Sequence, residues 1–217
     1  MASREFLKIL SSARMGDVSA QQKLASAYLT GEFKTPIQPS NALIWLEKSY
    51  ISIQNQGLKE NISNEAQIME LWSQVAAIPL IETFSSPSFQ FGWEAFWRLS
   101  TNEVVSNAQL VAKWQLANLL INPEYSTTQS QLVDWLKKQA TSNIESISNL
   151  DFSGLQKLAK QYLQELAESE TTHSVAAKEL LIKLQPKNEA LSSLWSVWIE
   201  NQNEEALAQA AEFGLTS

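Results

Sequence analysis

The stretch Ala13-Arg14-Met15-Gly16-Asp17-Val18-Ser19-Ala20-Gln21-Gln22-Lys23-Leu24-Ala25-Ser26-Ala27-Tyr28-Leu29-Thr30-Gly31 decides the architecture. Gly16 tolerates positive φ and so ends one helix, while the Asp17 carboxylate beside it accepts the N–H groups that open the next. Two helices therefore meet in a tight turn. After Asp17 the small and apolar positions Ala20, Leu24, Ala27 and Tyr28 recur at three and four, the period of one helix face, until Gly31 ends the segment. Beyond a loop with Thr35, Pro36 and Pro39, Ser40 is expected to cap a third helix whose face is Ala42, Trp45, Leu46, Ser49 and Tyr50.

Outward from this stretch the same period continues and strand alternation is nowhere sustained. The pattern predicts helices over 3–15, 17–30, 40–55, 64–78, 87–99, 103–121, 128–141, 151–168, 172–184, 187–201 and 203–213. The chain also repeats itself. Gln22-Lys23-Leu24-Ala25 with Tyr28 and Leu29 returns as Gln156-Lys157-Leu158-Ala159 with Tyr162 and Leu163, at one constant offset. Ala20, Leu24 and Ala25 return as Ala112, Leu116 and Ala117, and Trp45, Leu46 and Lys48 as Trp135, Leu136 and Lys138. A poorer copy places Ala190, Leu194 and Trp198 on Ala20, Leu24 and Tyr28. Each copy is a helix pair of roughly 36 to 42 residues, the size at which helical repeats stack into a solenoid. Trp45 and Trp135, at equivalent places, are both expected to be packed between neighbouring pairs.

The run from Ala13 to Asp17, with Ala20-Gln21, Leu24-Ala25, Tyr28, Gly31, Ala42, Trp45-Leu46 and Lys48, resembles the Sel-one-like repeat, a branch of the tetratricopeptide-type helical repeats. The best copy covers 13–50, and degenerate copies cover about 108–140, 154–184 and 190–214, the last ending on Ala210-Ala211-Glu212-Phe213-Gly214. The stretch 56–105 reads as a degenerate repeat or an insertion. The resemblance implies an all-α, right-handed α-solenoid of stacked helix pairs, about ten to eleven helices in a single domain over 1–217, binding proteins through a concave face.

Composition sets the remaining limits. The 217 residues are 44% hydrophobic and 18% charged, enough for a buried core. Sixteen Lys and Arg against 23 Asp and Glu give a net charge of −7, which disfavours nucleic acid or an anionic membrane surface as the main partner and favours a protein with a basic surface. With no cysteine there is no disulfide, thiolate metal site or Cys nucleophile. The six glycines stand at 16, 31, 57, 92, 154 and 214, too far apart for a phosphate-binding loop or a dinucleotide fingerprint. No cofactor or metal is expected. Arg4, Glu5 and Lys8 interrupt the first residues, and the apolar stretch Val75–Ile81 is far short of the roughly 20 residues of a membrane span, so the expected location is the cytoplasm.

Few residues carry a chemical signal. His173 is the one histidine, and neither it nor the acidic edges Glu165, Glu168, Glu170 and Glu204, Glu205 has the company a metal site or an acid–base pair needs. The aromatic run Phe89, Phe91, Trp93, Phe96 and Trp97 reads in two ways. It is a broad core face, with Phe91 sealing a loop, or one or two of its rings stand exposed as binding anchors. Phe91 and Trp93 border Gly92, read as a break in the helical pattern, which makes them the candidates for exposure. Trp195 joins them because Trp198 takes the core position. On the Ala20–Thr30 face the residues left outside the packing are Gln22, Lys23, Ser26 and Leu29, and Gln156, Lys157, Gln161 and Gln115 continue that surface in other copies. The expected function is a non-catalytic protein–protein interaction scaffold that holds a partner in the solenoid groove. Bacterial immunity proteins that cap a basic toxin are one alternative. The N-terminal interaction module of a longer repeat protein is another, and nothing in the residues points to an enzyme.

Overall fold

A computed structural model describes residues 3–60, 63–83, 86–102, 106–140 and 152–184. Among these the regular structure is helical, with no strand. In chain order the helices are α1 (Arg4–Arg14), α2 (Val18–Thr30), α3 (Pro39–Glu60), α4 (Glu65–Ala76), α5 (Phe89–Ser100), α6 (Asn107–Ile121), α7 (Ser126–Ala140), α8 (Phe152–Glu168) and α9 (Ser174–Lys183). They answer, within a few residues at most ends, to the expected helices over the same stretches. The two expected at 187–201 and 203–213 lie outside the described residues.

The turn between α1 and α2 forms as its sequence dictates. Gly16 sits at φ 92°, and an Asp17 carboxylate oxygen accepts from the Ala20 N–H at 2.7 Å. Gly31 ends α2 in the left-handed conformation at φ 77°. Two boundaries differ from expectation. Helix α3 opens at Pro39, because the proline ring presets a helical φ and the first turn needs no N–H from it; the Gln38 carbonyl accepts from Asn41 and Ala42. Ser40 is therefore inside the helix, where its hydroxyl donates to the Glu82 carbonyl at 3.2 Å, and it does not cap. At its other end α3 runs through Gly57 to Glu60, well past the expected end. The stretch without a recognisable repeat contains a helix pair, α4 and α5, joined through a short 3-10 turn at Leu80–Thr83.

The chain divides into two compact units, Met1–Ala112 and Lys113–Ser217. In the first, each helix from α1 to α5 packs on the next, and α3 also touches α5. Leu24, Ala42, Leu46, Leu71, Val75 and Phe96 are buried along this line of contacts. Phe6 of α1 meets Tyr28 of α2 edge-on at 6.3 Å. In the second unit α7 packs on α8 and α8 on α9, with Leu155, Ala159, Tyr162, Leu166 and Ala177 buried. Lys113 of α6 reaches Glu165 of α8, and its ammonium lies 5.5 Å from the Tyr162 ring.

One local device recurs. Gln21, in the first turn of α2, turns its amide back to donate to the Ala13 carbonyl at the end of α1, at 3.1 Å. Gln109 of α6 does the same to Asn102, just beyond α5. Gln129 of α7 donates to Leu119, Leu120 and Asn122 at the end of α6, at 2.8, 3.3 and 2.7 Å. The last carbonyls of a helix have no partner within it, and a buried amide from the following helix supplies one. In all three glutamines the side-chain oxygen is buried without a partner, so the N–H groups set the orientation.

The sequence repeats are echoed unevenly in burial. Ala25, Ala117 and Ala159 are all buried, as are Leu24 and Leu116. Trp45 is 8% exposed, its ring covered by the Lys48 ammonium at 4.3 Å. Trp135 is half-buried.

Candidate functional site

Helix α2 turns Leu24 and Ala27 into the core and leaves Ser19, Gln22, Lys23, Ser26 and Thr30 outside, at helical spacings that put them on one stripe. Together with Ala25 and Leu29 of the same helix, Leu46 of α3, and Gln74 and Ala77 at the end of α4, this stripe lines a groove of about 520 Å³. The side chains explain the hollow. Small residues, Ser19, Ala25, Ser26 and Ala77, alternate with longer ones along its walls, Ala25 and Leu46 are buried beneath it, and the other lining residues include the amides of Gln22 and Gln74 and the hydroxyls of Ser19, Ser26 and Thr30. Lys23 and Ser26 are exposed, so the groove opens to solvent.

The groove has one charge among its ten lining residues, that of Lys23. Arg98 pairs with Glu94 and Lys113 with Glu165, and among the described residues no carboxylate pairs with Lys23. Its ammonium lies 5.6 Å from the centre of the Phe33 ring, in the loop that follows α2. That loop is strained, with Phe33 at φ 56° and Lys34 at φ 62°, a region that non-glycine residues rarely occupy.

Of the expected contact residues, Gln22, Lys23 and Ser26 thus come together on the groove, with Leu29. The expectation of exposure for Phe91 and Trp93 is corrected: they are only 6% and 2% exposed. Gly92 is no break. It lies within α5, where a Cβ would come within 3.2 Å of Leu43 Cδ2, so its role is to let α5 approach α3 closely. Phe91 meets Tyr50 at a tilt, with ring centres 5.4 Å apart and planes 41° from parallel, and Trp93 meets Phe89 edge-on at 5.0 Å. Burial, with Glu94 adding to it, pushes the Tyr50 hydroxyl above its usual pKa. Trp195 lies outside the described residues. Gln156, Lys157 and Gln161 are exposed on α8, and Gln115 is half-buried on α6.

His173, given no role from the sequence, precedes α9 and stacks on Trp114 with ring centres 4.9 Å apart and planes 9° from parallel. Partial burial lowers its pKa from the usual imidazole value. Among the described residues no three His, Cys, Asp or Glu side chains converge as a metal site would require, and no helix is long and apolar enough to cross a membrane. Two groove residues, Gln74 and Ala77, had no signal in the sequence, since only the packing of α4 brings them to α2. Comparison with protein families, with curated proteins and with solved structures finds no match.

Proposed function

We propose that this chain is a non-catalytic protein-interaction scaffold of the Sel-one-like kind, a right-handed solenoid whose binding surface is the α2 groove. The observation that carries the reading is the convergence of Gln22, Lys23 and Ser26 with α4 on one hollow of about 520 Å³. An apolar floor with a rim of neutral donors and acceptors suits side chains and backbone of another protein. The solenoid draws support from the succession of contacts in the first unit, each helix on the next and α3 on α5, which is how stacked helix pairs meet. Phe91, Trp93, Phe96 and Trp97 are taken up by packing, which turns attention to the polar stripe of α2.

The test is site-specific photo-crosslinking in cells that make the protein. A crosslinker at Gln22 is expected to yield one or a few discrete protein adducts that a crosslinker at Gln54, exposed on α3, does not give. Identical adduct patterns from the two positions would refute the groove as the contact surface.

A further inference from the structure

We infer that the α2 groove receives an acidic segment of a protein partner, with an aliphatic side chain on the floor and a carboxylate at Lys23. The inference rests on the groove being the binding surface. The chain as a whole carries −7, yet the one charge lining the groove is the Lys23 ammonium, and no carboxylate among the described residues neutralises it. In a chain with an excess of acidic groups, a lysine left unpaired on the wall of a hollow is an electrostatic complement to an incoming anion.

The surroundings restrict that anion to part of a peptide. Ala25 and Leu46 close the bottom, and Leu29 and Ala77 add apolar wall, a lining that a free inorganic anion would not use, whereas a Leu- or Ile-sized side chain would. Gln22, Ser26, Thr30 and Gln74 can exchange hydrogen bonds with an extended backbone above it. The loop after α2 fixes where the charge sits. Gly31, Phe33 and Lys34 all have positive φ, at 77°, 56° and 62°. The last two adopt it without the freedom of glycine, and this strained path sets the Phe33 ring beside the Lys23 ammonium. The ammonium stands 5.6 Å from that ring on an exposed side chain, within reach of an incoming carboxylate.

The test uses the full chain and three pools of short fluorescent peptides, each with a central Leu, flanked by Asp/Glu, by Asn/Gln or by Lys/Arg, with binding read by anisotropy at low and high salt. Wild type is expected to bind the acidic pool about fivefold more tightly than the neutral one, a preference that salt erases. Lys23→Glu should invert the order in favour of the basic pool, and Ser26→Tyr, which fills the groove without adding charge, should weaken binding of every pool. If Ser26→Tyr abolishes binding but wild type prefers basic or neutral peptides, or Lys23→Glu leaves the order unchanged, the acidic specificity is overturned and the groove stands. If no pool binds wild type more tightly than Ser26→Tyr, the groove itself falls, and the inference with it.

Discussion

Replacing Gln129 by Glu exchanges a donor for an acceptor at the point where α7 closes the end of α6. The wild-type amide donates to the carbonyls of Leu119, Leu120 and Asn122 at 2.8, 3.3 and 2.7 Å, and the residue is 1% exposed. The two short bonds contribute about 1 kcal/mol each, so losing them costs about 2 kcal/mol. A carboxylate placed there also faces carbonyl oxygens at the negative end of a helix and loses hydration, and both effects raise its pKa. If that rise is about two units, ionisation adds about 2.7 kcal/mol, for a total near 4 to 5 kcal/mol at neutral pH. The sign follows from linkage. With the folded-state pKa above the unfolded value, the carboxyl is neutral in both states at low pH, and the ionisation penalty grows as pH rises through the folded value. Urea unfolding followed by far-UV circular dichroism, with Gln129→Glu compared to wild type from pH 4 to pH 8, should show a deficit of about 1 to 2 kcal/mol at the acid end, where the neutral carboxyl keeps one O–H donor, and at least twice that at the neutral end. Gln129→Leu should lose about 1 to 2 kcal/mol without pH dependence, since it also removes the unpaired buried oxygen. A Gln129→Glu variant within about 1 kcal/mol of wild type at pH 7 would refute capping by this amide as a source of stability.

Other consequences can be measured in the same way. Trp93→Ala and Trp45→Ala should each cost about 3 to 5 kcal/mol in denaturant unfolding, because both indoles are buried. Half-buried Trp135 should cost clearly less on the same change, and an equal cost would show that burial does not set the scale. Gly31→Ala should destabilise by about 1 kcal/mol through its φ of 77°, and no change in the unfolding midpoint would argue against the left-handed cap. For His173 the folded pKa is lowered by burial, so the unfolded chain binds the proton more readily and acidification through the imidazole range weakens the fold. Stability of wild type relative to His173→Gln should therefore fall as pH drops from 8 to 5, and a difference that grows instead would contradict the stacked, desolvated ring.

The presence of the helices over the described residues was legible in the chain, though the extent of α3 was not. Their existence depends on local chemistry, and that chemistry is written in order along the chain: the period of three and four, Asp17 accepting from Ala20, and Gly16 and Gly31 at positive φ. The helix period also places Gln22, Lys23 and Ser26 on one stripe away from the core face, with Gln22 half-buried and the other two exposed. Errors arose where the deciding partner is remote in sequence. Gly92 looked like a break, but Leu43, on a different helix, explains the glycine, and Phe91 is buried against Tyr50, also on α3. Gln21, Gln109 and Gln129 are ordinary polar residues by composition, and only the arrival of a preceding helix end turns them into caps. The groove has the same origin. Its α2 stripe is local, but Leu46 comes from α3 and Gln74 and Ala77 from the end of α4, and a hollow between elements exists only where tertiary packing brings them together without filling the space.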